Sequence, residues 1–266
     1  MEPGIRKSLL AVAAGKMEGG VTDSLATVLG SISEVRRMDR KRMPRPAVYL
    51  GYSVGIFTAM FAAGKISEEN LLRLVIQRGR FLDQCSRQKQ GGMVVVMGLS
   101  DNKIRQLARA KGFRRIRVYL CNHNAPGHWT LAGERRGLRK AMAWLEEAGA
   151  RRLVILKARG AWHSPLMRGA ARPFLQWLRQ NQTIFQAGSS PVLDNLDGRT
   201  LPVSGACLHA RLVRQLYSGV NWLACLRHAK KMGVKQFIEI GFTDILKKMG
   251  PFVVPTARHY ASALDL

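Results

Sequence analysis

The sequence predicts an α/β fold, a body of strands and helices interrupted by a smaller inserted α+β unit. Three observations carry that reading. The short apolar run Ala47-Val48-Tyr49-Leu50 leads through Gly51-Tyr52-Ser53-Val54-Gly55 into the helix-like stretch Phe57 to Ala63. From about residue 90 to 158 the pattern runs strand, helix, strand, strand, helix, strand, the order of a ferredoxin-like (βαββαβ) unit. Beyond it the chain returns to helices, short strands and loops. At 266 residues the chain can bury one large core with an inserted subdomain. The division expected is 1–89 and 159–266 for the body and 90–158 for the insert.

In chain order, residues 1–20 hold no periodic element beyond the apolar run Leu9 to Ala14. Val21 to Val35 reads as a helix with Leu25, Val28 and Leu29 on one face. Pro44-Arg45-Pro46 closes a polar linker before the first strand. Ser67 caps a helix that carries Glu68-Glu69 in its first turn and runs towards Leu82 on Leu71, Leu72, Leu74 and Val75. In the insert, Met93 to Met97 is a strand, Ser100 to Ala110 a helix and Ile116 to Leu120 a strand. A Pro126-Gly127 turn then leads to the strand His128 to Ala132. Glu134 to Ala148 is a helix ended by Gly149, and Leu153 to Leu156 the last strand. Further on come helices at Pro173 to Gln182, Leu208 to Tyr217 and Leu223 to Lys231, a strand at Pro191 to Leu193, and a late strand Phe237 to Ile240 before a Gly241 turn.

Composition narrows the classes. An apolar fraction of 47% fits a folded globular protein. No run approaches the 18 or so apolar residues of a membrane span, and the N-terminus lacks a signal-peptide pattern. Cys85, Cys121, Cys207 and Cys225 form no zinc or disulfide spacing, which predicts reduced, mostly buried thiols and a cytoplasmic setting. The balance of 43 Lys and Arg against 17 Asp and Glu gives +26. Such a chain attracts polyanions: nucleic acid, anionic lipid, CoA phosphates or an acidic protein. The cations look spread along the chain in small clusters such as Arg36-Arg37, Arg40-Lys41-Arg42 and Arg114-Arg115, with no nucleic-acid-binding motif and no basic stripe, so nucleic acid ranks last.

Gly51-Tyr52-Ser53-Val54-Gly55, between a strand and a helix, is the pattern of a nucleophile elbow. Two glycines let the backbone turn beside the serine. The turn lifts Ser53 Oγ to a helix N-terminus, where backbone N–H groups can meet an oxyanion. A serine nucleophile needs a base, and six histidines compete. His163 leads by context, following the insert's last strand at Gly160-Ala161-Trp162 and preceding Ser164-Pro165-Leu166-Met167.

Together these segments resemble the malonyl-CoA:acyl-carrier-protein transacylases, including discrete polyketide-synthase acyltransferases, from about Thr22 to Met249. The elbow resembles the family's G-H-S-x-G-E, and Gln77-Arg78-Gly79 its x-R-G. Gly91-Gly92-Met93 resembles its G-x-M, and Asn122 to His128 its N-x-N-[SA]-P-x-Q. Gly160 to Met167 resembles G-A-F-H-S-x-L-M, Val213 to Tyr217 with Val220-Asn221-Trp222 resembles V-R-Q-L-Y…V-x-W, and Phe237 to Gly241 resembles F-I-E-I-G.

The resemblance implies an α/β-hydrolase-like body with an inserted ferredoxin-like subdomain. It implies Ser53 as nucleophile, His163 as general base and the Val54 N–H as oxyanion donor. Arg78, in the helix after the elbow, is implied as the clamp for the malonyl carboxylate, a bidentate task suited to a guanidinium. On its own Arg78 reads as one of many solvated arginines. A backbone carbonyl near Asn221 is implied to orient His163, Asn124 to support the site, and Trp162 to crowd an α-methyl branch. The implied partners are malonyl-CoA, as substrate and with no cofactor or metal, and an acidic acyl carrier protein, with no membrane.

The chain departs from the family at Tyr52, Ile56, His128 and Phe242-Thr243, where His, Glu, Gln and Pro-Gly are usual. It also lacks the family's N-terminal strand and G-Q-G motif, the source of a second oxyanion donor; such a loss costs about 10²–10³ in rate. Four readings compete. The first is an active transacylase or the related malonate-decarboxylase subunit. The others are an acyl hydrolase, which needs no Arg78, a truncated carrier-binding homologue without catalysis, and a nucleic-acid binder.

Overall fold

The computed structural model describes residues 19–87, 90–188 and 190–261. The expectations about the N-terminal strand, the G-Q-G segment and the run Leu9 to Ala14 fall on residues 1–18, outside the described residues.

The elbow unit is built on α1 (Gly20–Arg40), β1 (Tyr49–Leu50) and α2 (Gly55–Ala62). The first helix is longer than its apolar face predicts, because polar residues after Val35 continue it to Arg40. α3 (Glu68–Arg87) starts where Ser67 predicts, with Ser67 Oγ accepting the Asn70 N–H at 3.3 Å. β1 pairs in parallel with β6 (Val192–Leu193). Buried Leu25, Val28, Phe57, Met60, Leu71, Leu74, Val75 and Phe174 form the core beneath the elbow. Phe174 comes from α6 (Ala171–Gln180), which with α7 (Gly205–Arg214) closes the body.

The second unit is a four-stranded antiparallel sheet. It holds β2 (Gly91–Met97), β3 (Val118–Ala125), β4 (His128–Glu134) and β5 (Arg152–Ile155) in the order β3-β4-β2-β5. With α4 (Asp101–Ala110) after β2 and α5 (Arg135–Glu147) after β4, this is the ferredoxin-like arrangement. Alternation along β2 decides what faces what. Val94 and Val96 pack with Ile104, Leu138 and Leu145 under the two helices. Met93 and Val95 face the opposite way, into a cavity shared with the elbow. Ile116 falls in a short 3-10 turn instead of the predicted strand, because Arg117 has a left-handed φ of 56° and the strand begins only at Val118.

After α8 (Trp222–Lys231), the late strand β7 (Gln236–Ile238) pairs in parallel with β8 (Arg258–Tyr260) as a separate two-stranded sheet. Cys121 and Cys225 are buried, but Cys85 is only half-buried and Cys207 is exposed, so fewer thiols are buried than composition suggested. Among the described residues no helix is long and apolar enough to cross a membrane.

Candidate active site

β1 ends at the elbow, and the turn is held from several sides. Ser53 takes a left-handed φ of 53°, the costly conformation expected of a nucleophile lifted on a tight turn. The two glycines have different jobs. A Cβ on Gly51 would run into the backbone of Ile56, so that position must be glycine. A Cβ on Gly55 would meet nothing within 4 Å, so the turn itself does not demand a glycine there. Buried Asn195 braces the turn, its Nδ2 donating to the carbonyls of Gly51 and Ser53 at 3.3 Å each.

The structure brings Ser53 and His163 together from 110 positions apart, with 2.7 Å between Ser53 Oγ and His163 Nε2. His163 Nδ1 lies 2.8 Å from the carbonyl oxygen of Gln215. A carbonyl only accepts, so Nδ1 carries the proton and Nε2 is left to accept from the serine hydroxyl. His163 is buried and also left-handed, with φ 59°. Burial lowers its pKa to about 4, the Arg78 charge pushes the same way, and the Gln215 bond opposes both only in part. The imidazole is therefore neutral at pH 7 and able to take a proton.

The orienting carbonyl is not the one expected near Asn221. It belongs to Gln215, just past the end of α7. Asn221 instead caps α8, its Oδ1 accepting the Ala224 N–H at 3.1 Å, while its own N–H donates to Asn195 O at 2.6 Å. It supports the site through the elbow brace.

Val54 is the N-cap of α2, and among the described residues no acceptor takes its N–H. Arg78 lies on α3, the helix that Ser67 opens after the elbow, where it was expected. It is only 4% exposed, with its guanidinium 5.7 Å from the Phe57 ring centre. Burial lowers its pKa to about 10, so it stays charged at neutral pH. It has no carboxylate partner among the described residues, and its Nε has no hydrogen-bond partner. A buried cation without a carboxylate partner is costly, and an anion beside it would offset that cost.

Two residues missed as site components are Tyr52 and Asn122. The Tyr52 hydroxyl accepts from Asn122 Nδ2 and donates to Asn124 Oδ1, both at 2.8 Å. Asn124 Nδ2 in turn reaches Thr130 Oγ1 at 3.2 Å. The side chain next to the nucleophile thus ties the elbow to β3 and β4. Bulges on either side of Asn122 and His123 help aim these side chains. A tyrosine beside a serine carries no such signal in sequence.

Ser53, His163, Trp162, Asn122, Asn124 and His128 line one cavity of about 1220 Å³ between the body and the cavity-facing side of the four-stranded sheet. Such a volume lies above the usual range for small-ligand pockets and admits an extended substrate. Among the described residues no cluster of His, Cys, Asp and Glu could hold a metal ion. The arrangement supports acyl transfer: a nucleophile, a neutral base, a free N–H at a helix start and a buried cation.

Comparison with known proteins agrees with this chemistry. The family model described as acyl transferase domain matches residues 24–250. The polyketide biosynthesis protein ThaF of Burkholderia thailandensis is 36% identical over 212 residues, covering 77% of this chain. The match takes in only 17% of ThaF, a much longer protein. The malonyl CoA-acyl carrier protein transacylase of Salmonella typhimurium is 30% identical over 240 residues, covering 90% of this chain and 76% of that enzyme. The crystal structure of the malonyl-CoA:acyl carrier protein transacylase from Xanthomonas oryzae superposes with a TM-score of 0.84 at 26% identity, covering 97% of this chain and 85% of that one. The chain therefore belongs to the acyl transferase family, as an acyltransferase of the malonyl-CoA:acyl-carrier-protein transacylase group.

Proposed function

We propose that the chain moves a malonyl group from malonyl-CoA to the phosphopantetheine thiol of an acyl carrier protein, through an ester on Ser53. The observation that carries this reading is the formed Ser53–His163 pair, with a buried Arg78 that does not line the cavity itself but lies close enough for its charge to lower the His163 pKa. A malonyl thioester has one free carboxylate, and Arg78 supplies its counter-charge. An acyl hydrolase of neutral chains has no use for a buried cation.

In the first half-reaction Ser53 Oγ attacks the thioester carbonyl as its proton passes to His163 Nε2. The oxyanion takes the Val54 N–H. The C–S bond breaks, and CoA leaves as a thiol with the proton from Nε2. In the second half-reaction the carrier's thiol gives its proton to Nε2 and attacks the Ser53 ester. The malonyl thioester forms, and the proton returns to Ser53 Oγ. Gln215 O holds the imidazolium formed in each half, so no third carboxylate is needed.

Intact-mass measurement after mixing with malonyl-CoA tests the reading. Wild type should gain one malonyl group, mapped to the Ser53 peptide, and Ser53→Ala none. A folded wild-type protein that gains no mass would refute the acyl-enzyme.

A further inference from the structure

The cations that look dispersed in the sequence are gathered by the fold. Residues 90–158 hold fourteen Lys and Arg against four Asp and Glu. Two of those four acids are engaged, Asp101 with His123, Trp129 and the Gly127 N–H, and Glu134 with Arg117. The apolar sides of α4 and α5 pack on Val94, Val96 and Leu131, which forces their charged sides outward. Arg109, Arg136, Arg139 and Lys140 on these helices, with Lys111 and Arg114 in the turn that follows α4, are all exposed, with no ion-pair partner among the described residues.

This face looks away from the cavity. The sheet shows Met93 and Val95 to the active site and Val94 and Val96 to the helices. A helix layer and a sheet layer, each about 10 Å thick, therefore separate the cations from Ser53. A substrate phosphate or a carrier's thioester arm at Ser53 gives no reason for them.

We propose that the outer face of α4 and α5 binds the phosphate backbone of a nucleic acid. Side chains three or four apart on a helix lie about 5–6 Å apart, so several cations of one face can meet the dense row of phosphates on a strand together. Arginine, which dominates the face, pairs phosphate bidentately. None of the exposed large hydrophobic residues, such as Ile155, Phe242 and Phe252, lies on either helix. A protein interface needs an apolar anchor at its centre, and membrane insertion needs an apolar face. A sequence-independent polyphosphate needs neither.

Fluorescence anisotropy with a labelled 20-base-pair DNA duplex of arbitrary sequence tests this on the full chain. Wild type should bind with a Kd of about 1–100 μM at physiological salt, the range of backbone-only contacts. The triple variant Arg114→Glu/Arg136→Glu/Arg139→Glu should bind at least tenfold more weakly. The slope of log K against log salt should shrink by about two to three, while acylation by malonyl-CoA is unchanged. Arg40→Glu/Lys41→Glu, on the exposed end of α1, should have a much smaller effect. No binding at physiological salt, or equal losses in both variants, would overturn the proposal. Loss of carrier transfer with DNA binding intact would assign the face to an acidic protein instead.

Discussion

At the scale of single residues, the proposed mechanism assigns both pH dependence and acid selectivity to His163 and Arg78. His163 works as the neutral imidazole, so the rate of the first half-reaction should fall as pH drops through about 4. Arg78 helps keep that value low. Arg78→Gln should therefore raise the His163 pKa and move the acid limb to higher pH. It should also cost malonyl-CoA at least tenfold more in kcat/KM than acetyl-CoA, which has no carboxylate to lose a partner. Equal losses for both thioesters with an unmoved acid limb would make Arg78 structural. The same titration enters stability. Folded His163 binds its proton less readily than the unfolded chain, whose value is about 6.5. Its contribution is thus fully present above pH 6.5 or so and is lost as pH falls towards about 4. The pairing of Ser53 with His163 was legible from the motifs around them, while the burial of Arg78 was not, since on its own it reads as one of many solvated arginines. The Gln215 carbonyl was not, since a backbone oxygen leaves no mark in the sequence and its identity depends on where α7 ends.

At the scale of elements, the elbow shows how a motif and its physical requirements differ. The sequence marks Gly51 and Gly55 alike, yet only Gly51 sits where a Cβ meets backbone. Gly51→Ala should destabilise the fold by about 2–4 kcal/mol, lowering Tm by roughly 4–16 °C in a chain of this size. Gly55→Ala should leave Tm within about 2 °C of wild type and act only on substrate handling, since Gly55 lines the cavity. Thermal melts of the two variants side by side decide this; similar Tm losses would show that the turn needs both glycines. The strands and helices of the insert were readable because alternation and 3.6-residue periodicity survive in sequence. The bridge from Tyr52 to Asn122 and Asn124 was not, because it joins residues about 70 apart whose meeting depends on the packing of the insert against the elbow.

At the scale of the whole molecule, net charge and its placement make separate predictions. Sequence supplies the total of +26, but not which side of the sheet the cations of α4 and α5 take; packing decides that. The total acts at long range on any acidic carrier approaching the cavity mouth. Exposed Phe242 and Ile245 also line the cavity and give that side an apolar rim as well as charge. Salt screens the first contribution, with a Debye length of about 8 Å at physiological strength, and barely touches the second. Raising salt from 50 to 300 mM should therefore slow carrier association about tenfold or more, with a much smaller change in dissociation. Stopped-flow binding of an acidic carrier protein measures both rates. The triple variant of the helical face should keep most of this salt dependence, because its three cations lie across the sheet from the mouth. A dissociation rate that carries most of the salt effect would mean that close ion pairs at the docked interface, and not the field of the whole molecule, hold the carrier.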